Sequence, residues 1–344
     1  MVNKKLKIAI VSKLWEETFP GSRGGTGSSI GYLVNGLVNK GHQVTLFATG
    51  NSKTKAQELV SVRPRHYLDD YSEIHEYENI AGAFRRAKDF DIIHCAVEHK
   101  SVFFGDLVKT PSIHSIRYGE FFDQEVKLLK KYKNLNYVGI SKSLKKFLPF
   151  LNWKDFIYNG VDYRDFKQEE KRGDYLLFLA RVTPQKGVDT AIKVAKKLNM
   201  KLIIAGKTSD VDKDFLNKKV YPFIDGKQIM YVGEVLGEKK KKLLSQALCL
   251  IQPNRVIEAF GNSFLESMAS AVPVVAFDRG AMSELIKNGK TGYVVNNFNE
   301  MLKAVKNIHN LSKKDCVERV KKSFSLDKMI ESYEALYYRI IDGK

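Results

Sequence analysis

Two glutamates stand eight positions apart in the segment E-A-F-G-N-S-F-L-E-S-M-A, and their spacing is the strongest indication of chemistry in this chain. A helix that starts near Gly261 would point its free backbone N–H groups, and the positive end of its dipole, at whatever lies before it. An anion is therefore expected there, with the carboxylate of Glu258 ahead of it and that of Glu266 on the flank of the helix. These groups suit a diphosphate that carries a sugar at each end.

A pair of cations lies earlier in the chain. The apolar run Y-L-L-F-L-A predicts a strand, and the segment R-V-T-P-Q-K-G follows it directly. Arg181 and Lys186 would therefore emerge at the carboxyl end of a strand, where two cations can neutralise a diphosphate. Alone, the pair could equally be two exposed surface charges. Together with the two glutamates, it predicts a phosphate-binding site.

A glycine-rich segment, P-G-S-R-G-G-T-G-S-S-I-G, follows the first predicted strand. Gly24, Gly25 and Gly27 would let the backbone approach a ligand closely before a helix begins near Ser28 or Ser29. The glycine spacing differs from that of a dinucleotide-binding fingerprint, and no Gly-Lys-Ser or Gly-Lys-Thr ending marks a Walker loop. The segment predicts a ligand-binding loop, although glycine-rich turns after a strand also occur without a ligand.

Short β-rich apolar runs alternate with amphipathic segments of helix length along the chain, among them K-I-A-I-V-S and I-I-H-C-A in the first half and L-I-I-A-G and P-V-V-A-F in the second. Such runs are typical of doubly wound parallel sheets. The series restarts after R-D-F-K-Q-E-E-K-R-G-D, which indicates a domain boundary. The sequence thus predicts an α/β fold of two Rossmann-like domains that face a cleft, 1–165 and 166–326, and a terminal helix, 327–344, that packs back on the first domain.

These motifs together resemble a known family. The combination of R-V-T-P-Q-K-G, A-G-K, Y-V-G-E-V, E-A-F-G-N-S-F-L-E-S-M-A and V-P-V-V-A-F resembles glycosyltransferase family 4, whose members are retaining, nucleotide-sugar-dependent enzymes with the GT-B fold. G-L-V-N-K-G-H-Q-V-T-L-F-A-T-G and F-S-L-D-K-M-I-E-S-Y look similar too, so the resemblance covers almost the whole chain. Departures from the family pattern at Gly27, Ala259 and Ser270 leave the charged donor-binding groups in place.

The resemblance implies roles for the residues of the second domain. Glu258 would hold hydroxyls of the donor sugar, and Glu266 would accept hydrogen bonds from the nucleotide ribose. Arg181 and Lys186 would bind the diphosphate leaving group. Four residues that open the helix would meet the sugar and phosphate through their backbone: Phe260, Gly261, Asn262 and Ser263.

Further positions are implied around the donor. Gly25, with Thr26 beside it, would approach the diphosphate from the first domain, and Lys207 and Val235 would line the base pocket. His114, in P-S-I-H-S-I, matches a histidine at a strand end near the reacting sugar in many members.

The sequence leaves two possible roles for each of two other features. His94, in D-I-I-H-C, ends a predicted strand and either contacts the acceptor or packs in the core. The lysines at 239–242 either reach the donor or form the solvated start of a helix. No metal or other cofactor is expected, because Arg, Lys and a helix terminus already neutralise the leaving group.

The formal net charge of +18 suggests an anionic partner. No acidic residue occurs between Glu125 and Asp155, and residues 126–154 carry eight lysines with interleaved aromatics. A basic, aromatic-containing amphipathic surface suits an anionic membrane face. The alternative is a general lysine excess spread over solvated faces. Nucleic acid is not expected, because no nucleic-acid-binding module is recognisable.

The number and surroundings of the cysteines indicate a cellular compartment. Cys95, Cys249 and Cys316 are odd in number, widely spaced and mostly in apolar contexts, which predicts reduced thiols and a cytoplasmic protein. No apolar segment is long enough to span a bilayer, so any association with the inner membrane face would be peripheral.

The predicted activity is transfer of a hexose, glucose or mannose, from a nucleotide diphosphate sugar to a hydroxyl acceptor with retention. UDP-glucose is the first expected donor and GDP-mannose the second. The acceptor stays open among glycans, lipid-linked molecules and small molecules. Two alternatives are a non-hydrolysing nucleotide-sugar 2-epimerase on the same fold and a non-catalytic binder of anionic surfaces.

Overall fold

The computed structural model describes residues 4–67 and 70–343, so the predicted domain limits at residues 1 and 344 lie outside this part. By their internal contacts, the described residues form two units. The first unit extends to Gly160 and resumes at Leu326, and the second comprises Val161–Ser325. Each unit is built around one parallel sheet.

The first unit contains seven strands and five α-helices among its described residues. In chain order they are β1 (Lys7–Ser12), α1 (Gly25–Asn39), β2 (Gln43–Phe47), β3 (Glu58–Val60), α2 (Glu73–Arg85), β4 (Ile92–Ala96), β5 (Ser112–Ile116), α3 (Asp123–Lys131), β6 (Asn136–Gly139), α4 (Leu144–Phe147), β7 (Trp153–Phe156) and α12 (Leu326–Ile341). The strand order is β3-β2-β1-β4-β5-β6-β7, with parallel pairing throughout.

Helices cover both faces of this sheet, because successive side chains of a strand point to opposite faces. In β1, Ile8 and Ile10 pack with α1 and α12, whereas Ala9 and Val11 pack with α2. The final helix lies close to α1, since a Cβ at Gly36 would come within 2.2 Å of the Ile330 side chain. The prediction that the terminal helix packs on the first domain is confirmed.

The second unit contains six strands and seven α-helices among its described residues. They are β8 (Tyr175–Leu179), α5 (Val188–Leu198), β9 (Lys201–Ala205), α6 (Lys213–Lys219), β10 (Ile229–Tyr231), α7 (Gly237–Ser245), β11 (Cys249–Gln252), α8 (Asn262–Ala269), β12 (Val274–Phe277), α9 (Met282–Leu285), β13 (Gly292–Val295), α10 (Phe298–Lys306) and α11 (Lys313–Ser323). The strand order is β10-β9-β8-β11-β12-β13, again parallel.

The α/β prediction of two doubly wound parallel sheets is confirmed. Two strands, β3 and β7, are absent from the sequence prediction. Both lie at an edge of the first sheet, and their residues are exposed or half-buried. An edge strand packs on few neighbours and does not read as a continuous apolar run, so hydrophobic patterning gives no signal for it.

Candidate functional site

Two loops at the carboxyl edge of the second unit's sheet bring charged side chains together. β8 and β11 are neighbours, so the segments that follow them leave the same edge side by side. Gly187, with a φ of +74°, allows the two loops to approach, since a Cβ there would lie 2.0 Å from the carbonyl oxygen of Pro253. Lys186 precedes this glycine and thereby reaches the loop after β11.

The carboxylate of Glu258 is held by two donors. Its Oε2 accepts hydrogen bonds from Lys186 Nζ and, at 2.9 Å, from Asn254 Nδ2. Asn254 is fully buried, and its Oδ1 accepts a hydrogen bond from Gln252 Nε2 at 3.1 Å, which connects the group to the end of β11. The side chains of Lys186 and Glu258 remain 16% and 20% exposed, so a ligand can reach both.

The structure therefore brings together two predicted site residues that are 72 positions apart in the chain. Asn254 is a residue that the sequence reasoning missed. A signal for it exists, because Q-P-N closes a buried strand, at the edge where ligands bind to such sheets.

The backbone of Glu258 is fixed as well as its side chain. It forms an isolated parallel bridge with Gly280, and its carbonyl oxygen accepts a hydrogen bond from the Ala281 N–H at 2.9 Å. Gly280 has a φ of +75°, and a Cβ there would lie 2.2 Å from the Glu258 carbonyl oxygen. Only glycine can approach the Glu258 carbonyl this closely, because any side chain would clash with it. The contact fixes the backbone of Glu258 and therefore the direction of its side chain.

Glu266 has a partner of its own. Its Oε1 accepts a hydrogen bond from Lys240 Nζ at 2.7 Å, between α8 and α7, and both side chains are about one-fifth exposed. Of the lysines at 239–242, Lys240 is thus the one that reaches this predicted site residue. A carboxylate and an ammonium side by side offer a ligand hydroxyl both an acceptor and a donor.

The start of α8 agrees with the sequence prediction. Gly261 precedes the helix with a φ of +102°, and Phe260 before it is buried. Asn262 and Ser263 form the first turn and are partly exposed. The Phe264 N–H donates to the Gly261 carbonyl oxygen at 3.1 Å, and the positive end of the helix dipole lies at this turn.

Three further predicted residues of this unit also follow strand ends. Arg181 comes after β8 and is exposed; within the described ranges no acceptor or acid pairs with its guanidinium. Lys207 comes after β9 and is also exposed, and its carbonyl oxygen accepts a hydrogen bond from the Val182 N–H at 2.9 Å. Val235, after β10, is buried. All three lie at the same carboxyl edge as Lys186.

In the first unit, α1 begins at Gly25, earlier than the predicted start near Ser28 or Ser29, so Gly25 and Thr26 lie in its first turn and not in a loop before it. A carboxylate already lies at this helix start. Glu16 Oε1 accepts a hydrogen bond from the Gly27 N–H at 2.6 Å, and a Cβ at Gly24 would overlap with this carboxylate. Burial raises the pKa of the Glu16 carboxyl above its usual range, although the Gly27 hydrogen bond opposes this. Sequence reasoning missed Glu16, which stands in the loop between β1 and α1.

The two predicted histidines lie inside the first unit. His94 contacts the Tyr337 hydroxyl at 2.7 Å and Ser115 Oγ at 2.5 Å through its two ring nitrogens. His114 contacts Ser101 Oγ at 2.7 Å and Ser112 Oγ at 3.1 Å. Both rings are fully buried, and both nitrogens of each ring are engaged. Roles for these histidines at the donor or the acceptor stay predictions.

The buried histidines predict that stability decreases in acid. Burial lowers the pKa of both His94 and His114 from 6.5 to about 3, so each ring is neutral when folded but gains a proton near pH 6.5 when unfolded. Stability is then complete above about pH 6.5 and decreases toward pH 3, by at most about 1.4 kcal/mol per pH unit for each histidine. Urea midpoints measured from pH 7.5 to 4.5 would show this decrease.

A matched pair of variants separates this effect from general acid denaturation. His114→Asn should flatten the pH dependence, whereas His75→Asn should leave it unchanged, because the side chain of His75 is 37% exposed. Equal slopes for the wild type and His114→Asn would contradict the assignment.

Each unit of the chain matches a known protein family. Residues 162–323 match the family described as "Glycosyl transferases group 1", and residues 23–147 match "Glycosyltransferase Family 4". The two matches include Gly25 and Thr26 in the first unit and Arg181, Lys186 and Glu258 in the second. The chain belongs to glycosyltransferase family 4.

Curated relatives of this glycosyltransferase carry related names. An uncharacterized glycosyltransferase of Methanocaldococcus jannaschii is 30% identical over 222 residues, which are 60% of this chain and 60% of that protein. The O-antigen chain mannosyltransferase RfbU of Salmonella typhimurium is 29% identical over 159 residues, which are 45% of this chain and 44% of that protein. The chain thus spans roughly half of the length of these two relatives.

Solved structures resemble the glycosyltransferase over its whole length. A sucrose-phosphate synthase of Thermosynechococcus elongatus has a TM-score of 0.83 and 17% identity, with 99% of this chain and 100% of that chain covered. HepE of Anabaena, solved in complex with UDP-glucose, has a TM-score of 0.73 and 14% identity, with 97% and 100% covered. At these identities the likeness concerns the fold, and the predicted GT-B fold is confirmed.

Residues 4–67 and 70–343 contain no group of three or more His, Cys, Asp or Glu side chains arranged to hold a metal ion. Among the helices of the same ranges, none combines the length and the apolar character needed to cross a membrane.

Proposed function

We propose that this glycosyltransferase transfers a hexose from a nucleotide diphosphate sugar to a hydroxyl acceptor, with retention of the anomeric configuration. The observation that carries the proposal is the contact of Lys186 and Asn254 with the Glu258 carboxylate at the carboxyl edge of a parallel sheet. This edge is where open α/β sheets bind ligands. The proposed reaction forms a bond from the acceptor oxygen to the anomeric carbon and breaks the bond from that carbon to the phosphate oxygen. A nucleoside diphosphate and the acceptor proton are released.

The charges of the site match those of the proposed transition state. Bond breaking develops negative charge on the diphosphate and positive charge on the anomeric carbon. Lys186, Arg181 and the first-turn N–H groups of α8 would stabilise the negative charge, and one such preorganised contact is typically worth about 3 kcal/mol. Glu258, one hydrogen bond away from Lys186, would orient sugar hydroxyls and offset the positive charge. His114 stays a predicted neighbour of the reacting sugar.

The nucleoside would lie further along the same edge. Glu266 is proposed to accept hydrogen bonds from the ribose hydroxyls, with Lys240 as the residue that holds its carboxylate in place. Lys207 and Val235, which follow the next two strands, are proposed to line the base. Gly25 and Thr26 are proposed to approach the diphosphate through backbone groups.

Two similar proteins guide the choice of donor. HepE of Anabaena is described in complex with UDP-glucose, which supports UDP-glucose as the first candidate donor. RfbU is described as a mannosyltransferase, which keeps GDP-mannose as the second. No metal is assigned to the proposed reaction.

Thermal unfolding with a panel of nucleotide sugars tests the donor assignment. A donor present at 100 times its Kd should stabilise the protein by about 2.7 kcal/mol and raise the Tm accordingly. Glu266→Gln should weaken stabilisation by UDP but not by inorganic pyrophosphate, because only the first ligand carries a ribose. The exposed Glu238→Gln variant on α7 provides the control.

Thermal unfolding and a turnover assay without acceptor separate the alternatives. A Tm that no UDP or GDP sugar raises would contradict the proposed function. Conversion of the donor without any acceptor, and without release of nucleoside diphosphate, would favour the 2-epimerase.

Peripheral contact with an anionic membrane through residues 126–154 stays a second, separate proposal. All of the eight lysines in this range except Lys154 are exposed. Phe147, which follows Lys146 in the chain, is 39% exposed. Exposed cations beside an exposed aromatic ring support binding to anionic lipid headgroups. Salt-dependent sedimentation with phosphatidylglycerol vesicles, and none with phosphatidylcholine vesicles, is the expected result.

A further inference from the structure

Two exposed aromatic rings, Trp15 and Tyr71, form a platform over a third ring in the first unit. Trp15 stacks on Tyr71 with ring centroids 4.4 Å apart and an interplanar angle of 22°, and the edge of Tyr67 meets both rings. Tyr67 is buried beneath them, whereas Trp15 and Tyr71 remain 50% and 39% exposed. A half-exposed tryptophan that is supported by two other rings presents a rigid apolar face to solvent.

Charged side chains of both signs surround this platform. Lys13 pairs with Glu98, and Glu76 accepts a hydrogen bond from the Leu14 N–H at 3.1 Å. Glu98 follows β4, the neighbour of β1, so these groups share the carboxyl edge of the sheet. Glu98 also has a φ of +61°, an unusual conformation for a residue other than glycine and one that is enriched at functional sites.

Lys100 is the most informative member of this group. The residue as a whole is 8% exposed, and its ammonium lies 5.8 Å from the centroid of the Tyr71 ring. Within residues 4–67 and 70–343 the ammonium makes no hydrogen bond and no ion pair with a carboxylate. Its N–H groups are therefore available to a hydroxyl or carbonyl oxygen that a ligand supplies beside the Tyr71 ring.

We propose that Trp15 and Tyr71 are the stacking platform of a saccharide-binding site, and that Lys100 donates to a hydroxyl of the bound sugar. The inference rests on the proposed function in one respect: the saccharide is the acceptor of the transferred hexose. It therefore selects a glycan from the acceptor classes that the sequence left open.

The chemistry of a pyranose ring fits both parts of this site. Its weakly positive C–H face is attracted to the negative face of an aromatic ring, as in other edge-to-face contacts. Its hydroxyl groups both donate and accept, so they can use a carboxylate such as Glu98 and an ammonium such as Lys100 at the same time. An acyl chain would desolvate Glu98 and Lys100 and offer neither of them a hydrogen bond, which disfavours a lipid chain as the occupant.

Tryptophan fluorescence can test the platform directly, because the chain has only two tryptophans, Trp15 and Trp153. The Trp153→Phe variant leaves Trp15 as the single reporter. Methyl glycosides of glucose, galactose, mannose and N-acetylglucosamine, and their disaccharides, should give a saturable change in its emission. In the same background, Tyr71→Ala or Lys100→Met should abolish or strongly weaken the saturable change.

Transfer kinetics provide the second measurement. Trp15→Ala should raise the KM for the glycan acceptor by about tenfold, as expected for the loss of one aromatic contact, and leave the KM for the donor unchanged. Trp15→Phe should restore most of the affinity. Tyr221→Ala, which removes a 41% exposed aromatic ring from the second unit, is the matched control and should change neither constant.

Several results would overturn the proposal. An unchanged acceptor KM in Trp15→Ala would do so, as would a panel in which no sugar changes the Trp15 emission up to tens of millimolar. An emission change caused by UDP alone, or by lipid vesicles alone, would assign the platform to a base or to a membrane instead. These outcomes differ from failure of the proposed function, in which no nucleotide sugar stabilises the protein whatever the response of Trp15.

Discussion

Lys186→Ala is expected to lower kcat/KM for the nucleotide sugar by about 100- to 1,000-fold, the usual cost of one lost contact to developing negative charge. Lys186 is held by the Glu258 carboxylate at the carboxyl edge of the sheet and remains partly exposed to a ligand. Because the proposed contact strengthens as the diphosphate gains charge, kcat should decrease together with kcat/KM. Steady-state kinetics at saturating acceptor would measure both constants.

The control for this variant is another lysine of the same unit that pairs with an acid. Lys218 lies 3.7 Å from Asp214 on α6, and both side chains are largely exposed. Lys218→Ala should therefore keep full activity and nearly full stability, since exposed ion pairs contribute little. A Lys186→Ala enzyme as active as the Lys218→Ala enzyme would remove Lys186 from the proposed mechanism.

Glu258→Gln is expected to lower kcat by about 100-fold or more while the fold persists. The substitution keeps the shape of the side chain and the backbone bridge to Gly280, but it removes the charge that Lys186 and Asn254 hold in place. The variant should orient the donor hydroxyls less well and stabilise the positive charge at the anomeric carbon less strongly. Kinetics and circular dichroism on the same preparation would separate loss of activity from loss of structure.

A double-mutant cycle tests whether Glu258 and Lys186 act as a unit. Residues that act together show strongly non-additive effects, so the double variant should be hardly slower than the worse single variant. Asp214→Asn with Lys218→Ala forms the control cycle and should show no coupling in kcat. Additive losses at Glu258 and Lys186 would mean that their contact has no part in the reaction.

Local hydrophobic patterns in the sequence predict much of the fold. The strands of both sheets that lie inside each unit are continuous apolar runs, because parallel strands covered by helices are buried on both faces. The sequence predicted these strands and the final helix, whose buried stripe includes Met329, Tyr333 and Ile340. It did not predict β3 and β7, since an exposed edge strand lacks that pattern.

The sequence also predicts which residues form the candidate site. Arg181, Lys186 and Glu258 follow strands, and the carboxyl ends of parallel strands share one edge, so the strand pattern alone predicts their common location. Their partners could not be predicted in this way. Asn254 holds Glu258, and Lys240 holds Glu266, through side-chain directions that depend on which strands and helices are neighbours.

The contacts of the two buried histidines could not be predicted from the sequence either. His94 and His114 each end up between two hydroxyl groups inside the first unit, and one partner of His94, Tyr337, is 243 residues away. Sequence alone determined the apolar periodicity, the strand and helix order and the charged residues at strand ends, because these are encoded within short segments. Only the tertiary structure decided which side chains from distant segments meet, because contacts such as Lys186–Glu258 and His94–Tyr337 depend on which strands and helices are neighbours.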